Sequence, residues 1–429
     1  MLGYLAEKGY ILTDDYLSAD VIFINTCGFI EDAQQESVNT ILEMIERTRS
    51  KQPRIVAAGC LVEVFGNQVM ENIPGLDGAI GVHSYRELDR FMEKLFAGEH
   101  PVFKNSPSET YQSLPSRILS TPVHSANVKI ADGCNNRCNY CMIPSIRGPY
   151  RSRSPHEIVT EVDNLLDRGA SEINLLAQDT TAYGIDQPDY PDLAGLLENI
   201  LALDRNFRLR IMYTYPSRID DRLIELIRSE NRICKYLDIP VQHSSDPVLE
   251  LMGRHYRKED LQSLFEKLRR RIPDLALRTT VMIGFPGETK RHFQELLEFI
   301  EGYPFESLGA FNYSSQDGTP AANLEQQVPT RVSKKRLSEL MLKQKRIARR
   351  INQKYTGKRL PILVEGKAGP SGTWCFGRTE YQAPEVDGIT YFRSPDNLKP
   401  GSWVSAVIKA VGPYNLLATR AVQIDQMPR

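Results

Sequence analysis

The feature that most limits what this chain can fold into is a repeated alternation between residues 124 and 330. Six runs read as buried strands: VKIAD (128–132), EINLLAQ (172–178), LRIMYTY (209–215), YLDIPVQ (236–242), LRTTVMIGF (277–285) and SLGAFNY (307–313). Helical patterns lie between them at 155–168, 190–203, 219–229, 256–271 and 290–300. Strands alternating with helices mark parallel βαβ units with right-handed crossovers. A closed eight-stranded barrel would need two more strand–helix units. The expectation is therefore an open, partial (β/α) barrel of six parallel strands.

At 429 residues the chain exceeds one ordinary core, so other domains should flank this one. Residues 1–100 also read as α/β, with strands at VIFIN (21–25), RIVAAGC (54–60) and DGAIG (77–81). A helix follows the first, with Val38, Ile41, Leu42 and Ile45 on one face. Residues 101–123 are rich in Pro and Ser and read as a linker. Residues 331–357 form a basic connecting helix, because 331–355 holds ten Lys or Arg and one Glu; Leu337, Leu340, Met341 and Ile347 can supply its apolar side. From 358 to 429, short strand-like runs broken by Gly and Pro suggest a small antiparallel β-barrel.

The chemistry concentrates in the cysteines: Cys27, Cys60, Cys134, Cys138, Cys141, Cys234 and Cys375. An odd count with three tightly clustered thiols argues against a disulfide scaffold. GCNNRCNYC sets Cys134, Cys138 and Cys141 at Cys-x3-Cys-x2-Cys spacing, in a loop that follows a strand and precedes a helix. Structural zinc wants four protein ligands, and no fourth Cys or His lies in the expected position. A 4Fe–4S cluster held by three thiolates leaves one iron open to a substrate, and this is the reading adopted over zinc. Cys27 and Cys60 each follow a strand end, beside glycine, at the edge where open α/β sheets gather ligands. They read either as buried thiols or as part of a second metal site. Cys234 and Cys375 read as structural.

Polar and flexible residues mark the same edge of the central domain. VMIGFPGE ends a strand with Gly284, Pro286, Gly287 and Glu288; such glycines permit close backbone approach, or simply turn the chain into a helix. Gln178 and Asp179 end another strand and could meet a ribose or a substrate, or cap a loop. No acid–base side chain is singled out as catalytic.

These segments together carry a resemblance. The cysteine spacing is similar to that of the radical S-adenosylmethionine (SAM) superfamily. NTCGFIEDAQQES, AAGCL, GCNNRCNYCMIPSIRGPYRSRSP, LLAQDTTAYG, DIPVQHSSDPVLELMGR, MIGFPGET and GRTEYQAPEVDG resemble the methylthiotransferases within it, over nearly the whole chain. The resemblance implies an N-terminal cluster-binding domain (1–100), a radical SAM domain (124–330) and a C-terminal TRAM barrel (358–429). It implies that the iron left open by Cys134, Cys138 and Cys141 chelates SAM, that Tyr140 lies near the adenine, and that Gly284, Pro286, Gly287 and Glu288 flank the cofactor. It also implies an auxiliary 4Fe–4S cluster, with Cys27 and Cys60 matching the family's second and third ligands. The first ligand belongs to a GCxKNxxDSE-like segment, and MLGYLAEKGY begins where the family sequence continues just after it, so that ligand has no counterpart here.

The implied reaction methylates sulfur on the auxiliary cluster with one SAM and cleaves another reductively. The 5′-deoxyadenosyl radical then takes hydrogen from the β-carbon of an aspartate in protein twelve of the small ribosomal subunit, giving β-methylthioaspartate. The implied partners are that protein or the assembled small subunit, with contact to ribosomal RNA, and an electron-donating protein. The competing substrate is a tRNA adenosine, modified at its 2-position. An inactive iron–sulfur scaffold or RNA-binding adaptor is a third reading. A barrel that grips RNA should be basic. Residues 360–429 hold seven basic residues (Lys367, Arg378, Arg393, Lys399, Lys409, Arg420, Arg429) against six acidic (Glu365, Glu380, Glu385, Asp387, Asp396, Asp425). That near-balance, like the net charge of −1 for the chain, favours a protein partner, which acidic APEVDG could steer if the partner is basic. No run of about 18 apolar residues suggests a membrane span. With no secretory-leader pattern at the start, the expected compartment is the cytoplasm and the expected state a monomer.

Overall fold

The computed structural model describes residues 1–108, 111, 117–369, 373–394 and 397–424. Residues 109, 110 and 112–116 of the expected linker lie outside the described residues, as do Asp396, Asp425 and Arg429 of the barrel charge tally. The chain divides into two compact units, each discontinuous in sequence: Met1–Ser120 with Asp132–Arg151 and Ser314–Ala322, and Thr121–Ala131 with Ser152–Tyr313 and Asn323–Arg429.

The first unit is built on four parallel strands in the order Val21–Thr26, Arg54–Gly59, Gly78–Ile80 and Val102–Phe103. Both faces of Arg54–Gly59 are buried. Ile55 and Ala57 pack with Ile24, Ile41 and Val62, while Val56 and Ala58 pack with Leu5, Ile80 and Phe91. Period-two alternation between two apolar layers explains why RIVAAG reads as a continuous apolar run. Helix Leu88–Phe96 buries Leu88, Phe91, Met92 and Leu95, one stripe at helical spacing. The fourth strand corrects the reading of 101–123 as linker throughout. Val102 and Phe103 pair with Ala79 and Ile80, and the Phe103 ring meets Phe91 edge-on at 5.4 Å. Two residues after a proline carry too little pattern to register as a strand.

The second unit holds all six strands expected of the central domain, in parallel register. They form two ladders of three: Ser125–Lys129, Glu172–Leu176, Arg208–Ile211, and Tyr236–Asp238, Ala276–Ile283, Ser307–Asn312. Between the ladders a bridge from Leu209 to Ile233 and the Thr214 N–H on the Asp238 carbonyl continue the contact. Several strands stop earlier than their apolar runs suggest. LRIMYTY leaves the sheet after Ile211 because Tyr213 turns left-handed, with φ 57°. YLDIPVQ stops at Asp238, two residues before Pro240. Helix Asp246–Leu251 has no counterpart in the sequence reading.

The basic helix is observed as Thr330–Asn352, burying Ser333, Leu340, Gln344, Ile347, Ala348 and Asn352. Leu340 and Ile347 thus face the core as expected, whereas Leu337 and Met341 are half-buried. The C-terminal segment closes into a β-barrel around Ile362, Val364, Phe392, Val404 and Ile408. It is not wholly antiparallel. The strands Arg359–Ala368, Trp374–Arg378, Thr390–Arg393, Leu416–Arg420 and Trp403–Val411 pair in that cyclic order. A ring with an odd number of strands cannot alternate direction throughout, so one neighbouring pair must run parallel. That pair is Thr390–Arg393 with Leu416–Arg420.

Candidate iron–sulfur and cofactor site

The first unit contains five of the seven cysteines, none of them in a disulfide among the described residues. The loop bearing Cys134, Cys138 and Cys141 is folded by local constraints. Gly133 has φ +82°, and a Cβ there would stand 2.0 Å from the Pro149 carbonyl oxygen, so only glycine fits. Arg137 is left-handed at φ 51°. The Cys134 N–H donates to the Gly148 carbonyl at 3.3 Å and the Cys141 N–H to the Cys138 carbonyl at 3.0 Å. Asn135 Oδ1 accepts from the Tyr150 N–H at 3.1 Å, closing the loop on itself. The Ile143 N–H points at Cys141 Sγ, 3.4 Å away, a contact that stabilises a thiolate. All three thiols are half-buried.

Cys27 and Cys60 belong to the neighbouring strand ends Val21–Thr26 and Arg54–Gly59. Two glycines let those ends approach. A Cβ on Gly28 would lie 2.7 Å from the Cys60 carbonyl oxygen, and one on Gly59 would lie 2.6 Å from the Thr26 carbonyl oxygen. Cys27 is exposed and Cys60 half-buried. Sequence reasoning missed two contacts here. Arg147, on helix Ile143–Arg147 just after the three-thiol loop, donates from Nη2 to Cys60 Sγ at 3.2 Å. His83 Nε2 lies 2.9 Å from the Ile146 carbonyl oxygen on that same helix. Arg147 stands inside the quoted GCNNRCNYCMIPSIRGPYRSRSP run, but spacing alone does not say which sulfur it meets.

Among the described residues, no three His, Cys, Asp or Glu side chains are gathered into a preformed metal cage. What fits an iron–sulfur cluster is the donor set: three thiols outside any disulfide on one glycine-hinged loop, one of them receiving a backbone N–H. Such thiols are consistent with iron–sulfur chemistry.

In the second unit the remaining candidates follow the C-terminal ends of the parallel strands. Asp179 is buried; its Oδ2 meets Arg218 at 2.6 Å and its Oδ1 accepts from Thr181 at 2.6 Å. Gly284 is left-handed, and a Cβ on it would stand 2.4 Å from Ser333 Cβ. Glu288 accepts from the Gly284 N–H at 2.7 Å and from Arg336 at 2.6 Å. Burial pushes the Glu288 carboxyl up, against those same partners. Gly287 is left-handed as well, and Pro286 is buried. Gln178 Oε1 is buried without a hydrogen-bond partner, and so are Gln242 Oε1, Asn312 Oδ1 and Tyr313 Oη, each at or just beyond the end of a strand. Buried polar atoms are normally satisfied, so four orphans at one sheet edge fit a polar cofactor such as SAM. Three of them escaped sequence reasoning because they sit inside apolar runs. Tyr140 lies with the cysteines in the first unit.

Comparison with known proteins adds an independent line. Residues 128–300 match the radical SAM superfamily, 1–81 the uncharacterized protein family UPF0004, and 356–420 the TRAM domain. The chain is 41% identical over 417 residues to the ribosomal protein uS12 methylthiotransferase RimO of Pelotomaculum thermopropionicum, covering 97% of this chain and 94% of that one. It is 41% identical over 419 residues to the RimO of Desulforudis audaxviator (97% and 92%) and 38% over 418 residues to that of Clostridioides difficile (97% and 94%). In fold it is similar to the radical SAM methyltransferase TsrM from Kitasatospora setae with cobalamin and a 4Fe–4S cluster bound, with a TM-score of 0.55, 16% identity, and coverage of 70% of this chain and 66% of that one.

Proposed function

We infer the reaction from the premise that this chain belongs to the radical SAM methylthiotransferase family, whose RimO members it matches over almost their whole length. It is a SAM-dependent methylthiotransferase acting on ribosomal protein uS12. The target is an aspartate, converted to its β-methylthio form. Cys134, Cys138 and Cys141 hold the 4Fe–4S cluster that binds SAM. Bound there, the pair would supply radical hydrogen abstraction at the target carbon, and the protein contributes binding, orientation and exclusion of solvent. Cys27 and Cys60 contribute to the auxiliary cluster that carries the transferred sulfur. In the second unit, Gln178, Asp179, Gly284, Pro286, Gly287 and Glu288 are assigned to SAM, joined by Gln242, Asn312 and Tyr313 with their unsatisfied oxygens; in the first, Tyr140 is assigned to its adenine.

The observation that carries this reading is the glycine-hinged loop that gathers three thiols outside any disulfide. A protein partner rather than an RNA is supported by the barrel. Of its basic residues, Arg378 is fully buried, held by Glu172 and Glu365, and Arg393 lies over the Trp374 ring at 4.7 Å. The charge free to meet phosphate is smaller than the sequence count. No helix among the described residues is long and apolar enough to cross a membrane.

The test is anaerobic reconstitution followed by product analysis. The Cys134→Ala variant is expected to form no 5′-deoxyadenosine above background; undiminished formation overturns the cluster assignment. Offered purified uS12 and tRNA side by side, the enzyme should methylthiolate only the protein. Transfer only to tRNA overturns the substrate.

A further inference from the structure

Among the described residues, five outside glycine adopt a left-handed backbone: Gln52, Arg137, Tyr213, Gln242 and Glu385. Tyr213 is the bulkiest, and such a strained conformation persists only where its surroundings enforce it. It stands just beyond Arg208–Ile211, at the C-terminal edge of the parallel strands, with 39% of its surface exposed.

The surroundings that enforce it are traceable bond by bond. The Tyr213 carbonyl accepts from the Thr180 N–H at 3.0 Å and from Thr180 Oγ1 at 3.3 Å. Thr214 donates its N–H at 2.9 Å and its Oγ1 at 2.7 Å to the main-chain carbonyl of Asp238. The Asp238 carboxylate is buried and paired with Arg278 Nη1 at 3.1 Å. Burial pushes that carboxyl up, while Arg278 pulls it down. Arg278 in turn faces a second acid: its Nε lies 3.5 Å from Asp387 Oδ1. Asp387 is carried by the C-terminal barrel, in the loop between Trp374–Arg378 and Thr390–Arg393. It is fixed there by the Tyr236 hydroxyl at 2.7 Å, the Ala383 N–H at 2.9 Å and the Ser307 hydroxyl. Glu385, two residues earlier and left-handed too, is within electrostatic reach of Tyr213.

We propose that Asp387 is a positioning residue for the methylthio-transfer reaction: through its ion pair with Arg278 it fixes Asp238, whose main-chain carbonyl holds Thr214 and so keeps the adjoining Tyr213 left-handed at the strand edge, where the Tyr213 ring meets the incoming segment of the protein substrate. The proposal rests on the functional reading above. It gives the barrel a part in shaping the catalytic unit, beyond any contact of its own with the partner. Contiguity alone does not establish coupling, so the test measures it.

Hydrogen exchange read by mass spectrometry on the full chain tests the structural half without any turnover. Asp387→Asn should speed exchange across peptide 208–218, and unchanged exchange there overturns the proposal. With purified uS12, Asp387→Asn and Tyr213→Ala should each raise the ratio of 5′-deoxyadenosine to methylthiolated product by about tenfold, with the loss falling on KM for uS12 more than on kcat. The double variant should be no worse than the worse single one; multiplied losses mean the two residues act independently and overturn the relay. Should Asp387→Asn fail to fold, Arg278→Lys breaks the same link while keeping the charge, and the same two readouts apply. A wild-type enzyme that methylthiolates no uS12 refutes the functional reading, and the exchange result still decides the link from Asp387 to Tyr213.

Discussion

The cysteine edge of the first unit and the strand entrances of the second unit are built on opposite plans. At the cysteine edge, thiols are gathered without being cross-linked: five stand outside any disulfide, and glycines at 28, 59 and 133 allow close backbone approach beside them. At the strand entrances everything is consumed. Glu172, fully buried, takes Arg208 at 3.1 Å and Arg210 at 3.0 Å from the neighbouring strand, and Arg378 from the barrel. Arg208 and Arg210 also donate to the Arg378 and Glu380 carbonyls. Thiols outside any disulfide suit the proposed clusters; charges paired in the interior mark where the fold locks itself. The lock also fixes the barrel strand Trp374–Arg378 against the parallel strands, which the loop holding Asp387 requires.

The largest effect should come from breaking the lock. Glu172→Gln leaves three guanidinium groups buried near one another without their shared anion, and should cost about 3–5 kcal/mol, read as a drop in the thermal or urea midpoint. The same carboxylate predicts an acid limit. Burial alone would raise its pKa, but Arg378, Arg208 and Arg210 hold it well below the ordinary glutamate value. Because the folded value lies below the unfolded one, its contribution is complete above about pH 4.3 and is lost as pH falls through the folded value. Glu172→Gln should therefore flatten the acid side of the stability profile. An unchanged profile would show that the anion is not what holds the entrances shut.

A smaller effect sharpens the other side of the comparison. Gly28→Ala drives a methyl group into the Cys60 backbone and should cost about 1–3 kcal/mol. Reconstituted iron should fall at the auxiliary site while the signal from the Cys134, Cys138 and Cys141 cluster stays. Gly302→Ala is the control, since a Cβ there meets nothing within 4 Å at the end of helix Lys290–Gly302. Equal losses from both substitutions would mean that close approach at Gly28 is not what sets the thiols.

This contrast also governs what could be read before the structure. The cysteine edge was legible because its signals are local: Cys134, Cys138 and Cys141 span eight residues, and Cys27 and Cys60 stand at strand ends that apolar patterning locates. The six parallel strands were legible for the same reason. The lock was not, because Glu172 and Arg378 are 206 positions apart and nothing in their neighbours distinguishes a buried charge from a solvated one. Arg378 entered the charge tally as free to meet phosphate and turned out to be sealed. Val102–Phe103 was missed as too short to show a period, and the parallel pair in the barrel because strand direction follows from ring closure rather than from residue type. Asp387 looked like part of an acidic surface loop, yet Tyr236, Ala383, Ser307 and Arg278 enclose it.

The smallest effect isolates burial from charge, three residues apart in the chain. Arg205 and Arg208 flank Phe207 and are chemically identical. Arg205 pairs with Asp163 at 3.3 Å and Asp167 at 2.6 Å, with 46% of its side chain exposed. Arg208 pairs with Glu172 at 3.1 Å, and its side chain is 2% exposed. By distance alone Arg205, with two carboxylates, should matter more. Water and salt screen its attraction, and holding a long side chain in place costs entropy, so Arg205→Gln should change stability by no more than about 1 kcal/mol and less still in high salt. Arg208→Gln removes one of three cations around a carboxylate that cannot reach water, and also a guanidinium stacked on Trp403 at 4.9 Å. Its loss should exceed that of Arg205→Gln and resist salt. If both variants lose equally, or if salt weakens Arg208 as much as Arg205, then the strand entrances are solvated in solution, and the contrast between paired interior charges and gathered thiols fails at the place where it is drawn most sharply.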